Sequence, residues 1–187
     1  MVADGHLTNI PLNSVYAGVV SIRGMRICLF LGELNGMEAY ATDIGNAYLE
    51  AITLEKLCIR AGPAFGSLEG HLLIIYKALY GLRSSGKQFG DLLADCLKKE
   101  GFIPSRAEPQ IFMRRQGNQW EYIATYVDDL LIVSHQPLKI LEILQSEPYN
   151  FKLKGSGPIS FHLGCGFTRD NHNVLCMDPK TYVEKKR

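Results

Sequence analysis

The sequence lacks several features that would assign a protein to a class at once. No apolar run approaches the ~20 residues that a membrane-spanning helix needs, and no basic segment followed by an apolar one opens the chain, so no secretory signal is predicted. The formal net charge is only +1 over 187 residues, which is weak for a nucleic-acid-binding protein. We therefore expect an intracellular protein whose nucleic-acid contacts, if any, depend on local basic patches.

Cysteine occurs in an odd number and without any Cys-x-x-Cys spacing, which predicts free, mostly buried thiols in a reducing compartment. The five residues are Cys28, Cys58, Cys96, Cys165 and Cys176. The spacing of His162 and Cys165 resembles that of zinc ligands. Because they are three residues apart on a predicted strand, we expect these two side chains to face opposite sides, and we predict no zinc site.

The spacing of apolar residues predicts helices and antiparallel hairpins. Helices are predicted over residues 21–36 and 84–102 and from Pro137 to about Glu147, strands over 37–44, 72–76, 110–115, 119–127 and 130–134, and a hairpin over 159–178. The first helix carries apolar residues on two faces, one with Met25 and Leu29 and another with Ile27 and Leu34, so we expect it to be buried on most sides. The mixture predicts an α+β fold.

Two adjacent aspartates, Asp128 and Asp129, interrupt a run of residues that otherwise favours a buried strand. One interpretation is an ordinary hairpin turn, because Asp is a common turn residue. Tight hairpins, however, favour Asn-Gly or Asp-Gly at positions that need positive φ, and neighbouring carboxylates repel each other. A bound divalent cation would remove that repulsion, so we favour a functional site over a plain turn.

A third carboxylate, Asp43, ends a strand-like stretch, and Gly45 allows the chain to leave it sharply. Taken alone, Asp43 is more typical of helix capping. Taken with Asp128 and Asp129, it completes a set that could hold hard cations, since Mg²⁺ is typically bound by one or two carboxylates plus substrate phosphates. Two such ions roughly 3.5–4 Å apart can hold both the attacking and the leaving oxygen of an in-line phosphoryl displacement.

Three segments occur in an order that resembles the reverse transcriptase of copia-type LTR retrotransposons. They are DIGNAYLEA (43–51), KALYGLRSSGKQF (77–89) and YVDDLLIVS (126–134). Two further stretches, GFIPSRAEPQIFMRR and FHLGCGF, extend the resemblance over most of the chain. A lone Tyr-x-Asp-Asp motif would be weak, whereas the ordered set is specific.

The resemblance implies a polymerase palm, an antiparallel sheet backed by helices, with part of the fingers. This domain would occupy residues 15–187, be truncated relative to the family and follow an N-terminal extension over residues 1–14. The rest of the fingers, the thumb, RNase H and integrase would belong to other parts of a polyprotein. The implied location is a cytoplasmic virus-like particle or the nucleus, with no membrane partner.

The resemblance also implies RNA-directed DNA synthesis, in which dNTPs are added to the primer of an RNA or DNA template–primer. Two Mg²⁺ ions, with Mn²⁺ as an alternative, would serve as cofactors. By motif position, Asp43 and Asp128 would be the main metal ligands, and Asp129 would assist them. Ile44 would offer its backbone carbonyl to a metal.

Three further residues are implied to contact the nucleotide. Tyr48, five residues after Asp43, would be a steric gate against a ribose 2′-hydroxyl, although burial statistics alone favour a core aromatic. Arg83 and Lys87 would meet phosphates, although a solvated helix face explains them equally well. The family usually has Lys-Gln where this chain has Arg83–Ser84, so the amide that helps to position the nucleotide is missing or moved.

Two alternatives remain open. The chain has no Lys or Arg before Arg23, where the family carries a basic fingers segment, and duplex binding depends on neutralising phosphates. A truncated, catalytically inactive remnant that at most binds nucleic acid is therefore one alternative. A two-metal nuclease is the other, because three acidic residues alone could support one, but the aromatic residue after Asp43 and the Asp-Asp hairpin favour a polymerase.

Overall fold

The computed structural model describes residues 15–184, so the expected extension over residues 1–14 and the last three residues lie outside the described part. The chain folds into two compact units. Within the described residues, the small unit comprises residues 15–17 and 46–95, and the large unit comprises residues 18–45 and 96–184.

Helices and antiparallel strands are both present in number, which confirms the predicted α+β class. The helices are α1 (Ile22–Leu34), α2 (Ala47–Glu50), α3 (Ser85–Lys99), α4 (Pro137–Gln145) and α5 (Lys180–Glu184). The strands are β1 (Glu38–Ile44), β2 (Ile52–Arg60), β3 (Leu72–Lys77), β4 (Ile103–Pro104), β5 (Ile111–Gln116), β6 (Gln119–Tyr126), β7 (Asp129–Ser134), β8 (Leu153–Pro158), β9 (Phe161–His162), β10 (Cys165–Arg169) and β11 (Leu175–Asp178). No helix within residues 15–184 is both long and apolar enough to cross a membrane.

The large unit is built on a six-stranded antiparallel sheet in the order β4-β5-β6-β7-β1-β8. β7 lies between β6 and β1, and Leu130, Leu131, Ile132 and Val133 are completely buried. Burying a side chain of this size contributes ~1.5–3 kcal/mol. β7, which begins at the second aspartate of the pair, is therefore among the most firmly held parts of the sheet.

α1 packs one side against this sheet and leaves the other side exposed. Met25 and Cys28 join the core cluster that contains Leu131 and Val133. The expectation that α1 is buried on most sides is wrong, because the sheet covers only one side of the helix. The exposed apolar residues of α1 are Ile22, Ile27, Phe30 and Leu34.

The small unit contains the β2–β3 hairpin, the short α2 and most of α3. β3 and α3 were predicted from their apolar patterns, and the structure confirms them. β2 was not predicted. Its residues alternate between exposed and half-buried and none is buried, so a two-stranded hairpin with no deeply buried face leaves only a weak signal in the sequence.

The C-terminal sheet corrects one prediction about side-chain direction. His162 and Cys165 do not lie on one strand but flank a two-residue turn between β9 and β10, and they are cross-strand partners. Leu163 and Gly164 make this turn with φ of 48° and 80°. Directly opposed residues point to the same face of a sheet, so the expectation that His162 and Cys165 face opposite sides is wrong. Both residues are buried.

Candidate active site

The aspartate pair lies at the hairpin between β6 and β7. Only Val127 and Asp128 form the turn, and Tyr126 pairs with Asp129, which is the first residue of β7. The predicted hairpin is present, but it turns one residue earlier than expected. The sequence pattern had suggested that the second strand begins at Leu130, because its apolar residues begin there.

Val127 adopts a backbone conformation that its side chain disfavours. Its φ is 57°, and a β-branched residue in the left-handed region is a genuine outlier. Such a conformation costs of the order of 1–3 kcal/mol and is typically found at functional sites, where the surrounding structure imposes it. The strain is a second indication, independent of the charges, that this turn is a candidate functional site, and nothing in the sequence revealed it.

Replacing Val127 by glycine is expected to stabilise the protein. Glycine adopts positive φ without the penalty of a Cβ atom, so Val127→Gly should raise Tm by about 2–4 °C, the change that ~1 kcal/mol produces in a chain of this size. Thermal unfolding measures the effect. Val174→Gly is the matched control, because Val174 is exposed and is not among the residues with positive φ, and its Tm should not rise. A lower Tm for Val127→Gly would contradict the inference that Val127 is strained.

The fold brings the three aspartates to one end of two adjacent strands. Asp43 on β1 and Asp129 on β7 are cross-strand partners. The Ile44 amide donates a hydrogen bond to the Asp128 carbonyl, with an N···O distance of 2.9 Å. Since hydrogen-bonded and non-hydrogen-bonded pairs alternate along an antiparallel ladder, Asp43 and Asp129 form a non-hydrogen-bonded pair, whose Cα atoms are ~4.5 Å apart. All three aspartates are half-buried.

The electrostatics of the cluster are those of carboxylates held together against their mutual repulsion. Burial raises the pKa of Asp129, and the charges of Asp128 and Asp43 raise it further. Burial also raises the pKa of Asp43, followed by the charge of Asp128, while Lys154 lowers it. Each shift disfavours the charged form. A cation between the carboxylates would reverse that preference.

The chemistry of these donors suits a hard divalent cation, which prefers carboxylate and carbonyl oxygens. As the side chains stand, however, no group of three or more His, Cys, Asp or Glu residues in the part of the chain described here could hold a metal ion. The backbone register thus places Asp43 and Asp129 as neighbours, and the side chains would have to draw together to bind an ion.

Lys154 is the cation that lowers the pKa of Asp43. It lies on β8 as the cross-strand partner of Asp43, and its side chain passes over Gly45. A Cβ atom on Gly45 would lie only 2.5 Å from Lys154 Cε and 3.2 Å from the Lys152 carbonyl oxygen. Because residue 45 is a glycine, the Lys154 side chain has the space that it needs to reach the aspartate cluster.

Lys154→Met is expected to raise the pKa of Asp43, because it removes the cation that lowers this pKa and keeps a side chain of similar length. A titration of the side-chain carboxyl carbon of Asp43 by NMR measures the effect. Lys152→Met is the matched control, since Lys152 is exposed in the same segment and is not among the causes of the shift. Equal titration curves for wild type and Lys154→Met would contradict the prediction.

The other residues implied for the nucleotide lie in the small unit. Tyr48 on α2 is half-buried, with its ring centroid 4.5 Å from that of Tyr80 and 6.4 Å from that of Phe89. Lys87 forms an ion pair with Asp91 one helical turn later. Arg83 is exposed in the turn before α3. An aromatic cluster explains Tyr48 structurally, so its role as a gate stays a prediction, as do the phosphate contacts.

A polar cluster surrounds the position where the family's glutamine is replaced by serine. Ser84 is buried and donates a hydrogen bond to the Glu55 carboxylate. One turn later, Gln88 Nε2 donates to Ser84 Oγ over 3.1 Å. Gln88 Oε1 is buried and has no partner among the described residues. Gln88 is four residues later in the sequence than the serine that replaces the family's glutamine, but helical geometry brings its amide beside Ser84.

Comparisons with known proteins agree with this arrangement of motifs. The chain is similar to the retrovirus-related Pol polyprotein from transposon TNT 1-94 of Nicotiana tabacum, with 23% identity over 94% of the chain and 14% of the polyprotein. It is similar to the corresponding polyprotein from transposon RE1 of Arabidopsis thaliana, with 24% identity over 80% of the chain and 10% of the polyprotein. A putative transposon Ty5-1 protein of Saccharomyces cerevisiae is 23% identical over 76% of the chain and 47% of that protein.

The chain therefore spans less than half the length of each of these relatives. The family model described as "Reverse transcriptase (RNA-dependent DNA polymerase)" matches residues 1–185. Because this match covers nearly the whole chain, and because the relatives are transposon proteins that include two Pol polyproteins, the chain belongs to the reverse transcriptase family of copia-type retrotransposons.

Proposed function

We propose that this chain is the palm, with part of the fingers, of an RNA-directed DNA polymerase, and that it adds dNTPs to a primer 3′-hydroxyl by two-metal nucleotidyl transfer. The observation that carries the proposal is the pairing of Asp43 with Asp129 across adjacent strands, with Asp128 in the strained turn beside them. Carboxylates with raised pKa values at a strained hairpin are typical of a functional site, and here they would bind cations.

Asp43 and Asp128 are the proposed main ligands of two Mg²⁺ or Mn²⁺ ions, Asp129 is the assisting ligand, and the Ile44 carbonyl is a further donor. When bound, the ions would lower the pKa of the primer 3′-hydroxyl and neutralise charge on the triphosphate and the pyrophosphate leaving group. The buried strand after Asp129 holds the carboxylates stiffly, so they would need little reorganisation when substrate arrives. Ile44, with no exposed surface, anchors the β1 end of the site.

The proposed partners are an RNA or DNA template–primer, dNTPs and the remaining parts of a Pol polyprotein, which include the rest of the fingers, the thumb, RNase H and integrase. The proposed location follows from this assignment and is a cytoplasmic virus-like particle or the nucleus. In the small unit, Tyr48 is the proposed gate against ribonucleotides, and Arg83 and Lys87 are the proposed phosphate contacts.

Primer extension tests the proposal. With poly(rA)·oligo(dT), labelled dTTP and Mg²⁺ or Mn²⁺, the chain is expected to lengthen the primer, and EDTA is expected to stop the reaction. Absence of extension with either metal would favour the alternative of a truncated, inactive remnant that at most binds nucleic acid. Cleavage of an unprimed strand without dNTPs would favour a two-metal nuclease instead.

Metal binding gives a measurement that does not depend on activity. Without divalent ions, Asp129→Asn is expected to raise Tm, because it removes a half-buried charge from the cluster. Mg²⁺ should raise the Tm of wild type, since an ion that binds only the folded state stabilises it, and should raise that of Asp129→Asn less.

Asp129 should make the folded protein less stable as the pH rises. The folded-state pKa of Asp129 lies above its ordinary value of 3.8, so the folded protein binds a proton more tightly than the unfolded chain does. The contribution of Asp129 to the stability of the folded protein is then most favourable below pH 3.8 and is lost as the pH rises through the raised pKa.

Glu142→Gln, which changes an exposed acid on α4, is the control for the metal-binding and the pH experiments. A wild-type Tm that responds to neither Mg²⁺ nor Mn²⁺ would contradict the metal site.

A further inference from the structure

The exposed side of α1 and the β10–β11 hairpin enclose an apolar groove of about 520 Å³ in the large unit. Phe30 and Leu34 line it from the helix, and Val174 and Met177 line it from the hairpin. The aspartate cluster contributes no residue to this groove. It is therefore a separate feature of the molecule.

The apolar residues along this side of α1 are far more exposed than core-forming residues usually are. Phe30 is 63% exposed, Leu34 is 65% exposed and Ile27 is 50% exposed. Their spacing of three and four residues places them in one stripe along the helix. A contiguous exposed apolar stripe beside a groove, with charged residues at its margin, is typical of a protein–protein interface.

Two opposite charges lie on the groove side of the same helix. Arg26 and Glu33 both line the groove and are seven residues apart, or about 10 Å along the helix. Glu33 already pairs with Arg169 of β10, with an Nη2–Oε1 distance of 2.6 Å. The surface thus presents Arg26 near one end of the stripe and, near the other end, a Glu33 carboxylate that is 35% exposed and that a second cation could share with Arg169.

We propose that this surface binds a second copy of the chain through antiparallel contact of the two α1 helices. When two such helices are centred between positions 29 and 30, Arg26 of each copy lies opposite Glu33 of the other. Phe30 of each copy then enters the groove of its partner. A two-fold interface repeats every contact, so it contains the Arg26–Glu33 pair twice, whereas parallel packing would place like charges together.

The length of α1 fits this partner. α1 has 13 residues and is about 20 Å long, so two antiparallel copies centred on the same point can contact each other along the whole helix. Nucleic acid is a poor occupant, because the lining is mainly apolar and includes Glu33. A second copy of the chain would cover the exposed apolar residues of α1 and would also place Glu33 opposite Arg26, without any further component.

Sedimentation equilibrium of the whole chain, without metal or nucleic acid, tests the inference. Wild type should be in reversible equilibrium between monomer and dimer at micromolar concentration, and Phe30→Glu should weaken dimerisation at least about 100-fold, because it would bury a charge in an apolar groove. Ile74→Glu is the matched control for loss of an exposed apolar residue. Ile74 is 82% exposed on β3 in the small unit, and its variant should dimerise as wild type does.

A second pair of matched variants tests the charge pattern. Arg26→Glu should weaken dimerisation about tenfold, since two like charges then face each other twice. Arg23→Glu changes another exposed arginine on the same helix that has no acidic residue opposite it in the proposed arrangement, and it should have little effect. A wild-type monomer up to about 200 µM, or equal effects within either matched pair, would overturn the inference. Neither result would bear on the polymerase proposal, which is tested by extension and metal binding.

Discussion

Asp128→Asn is expected to reduce metal-dependent primer extension by at least about 100-fold, the loss typical of removing one group that stabilises the charge of a transition state. Asparagine keeps the size of the side chain but removes the charge that would hold a divalent ion. The turn also keeps its geometry, because asparagine is at least as well tolerated there as aspartate. Initial rates of labelled dTTP incorporation on poly(rA)·oligo(dT) measure the effect.

Glu142→Gln is the control for this experiment, because it also neutralises one acid but does so on the exposed surface of α4, and it should leave the rate unchanged. Asp43→Asn should match Asp128→Asn, since both residues are proposed as main ligands. A rate for Asp128→Asn within a few-fold of wild type would show that Asp128 is not a metal ligand in the reaction. Loss of activity in Glu142→Gln as well would point to a general effect of charge.

Tyr48→Ala is expected to reduce discrimination against ribonucleotides by roughly 100-fold, the size of preference that can depend on one added hydroxyl. In the proposed role, the ring occupies the space that a ribose 2′-hydroxyl needs, and alanine would open that space. The ratio of kcat/KM for dTTP to that for UTP measures discrimination. Because this is a ratio, it does not change if part of the variant is unfolded.

Tyr48→Phe separates the gate from a purely structural role. Phenylalanine keeps the ring and its contacts with Tyr80 and Phe89, so it should preserve the wild-type ratio. Tyr48→Ala loses those contacts and should also lower Tm, which is what a core aromatic would do. If the ratio for Tyr48→Ala equals that of wild type while Tm falls, Tyr48 is only part of the aromatic cluster.

The helices and central strands were predictable because their residues are buried on a regular period. In α3, Phe89, Leu93 and Leu97 recur every four residues and are all buried, so the pattern in the sequence reports the packing directly. α1 shows the limit of the same argument. Its apolar residues occupy most of its circumference, and only the position of the sheet decides which side of the helix is buried.

Edge elements and turns were harder to predict, for reasons that are visible in particular residues. β8 reads Leu-Lys-Gly-Ser-Gly-Pro and lies at the edge of the six-stranded sheet. Its glycines and proline are poor strand formers, and pairing with β1 stabilises it. His162 and Cys165 looked like residues of one strand because only backbone dihedrals distinguish a strand from a tight turn at Leu163–Gly164.

The sequence by itself determined which residues are proposed to carry chemistry, because the three ordered motifs and the apolar strand around Asp128 can be identified without coordinates. Tertiary structure alone decided that Asp43 stands opposite Asp129, that Val127 bears the strain of the turn and that Lys154 reaches the cluster. These facts depend on strand register and on backbone dihedrals imposed by neighbours distant in sequence, and local residue preferences determine neither.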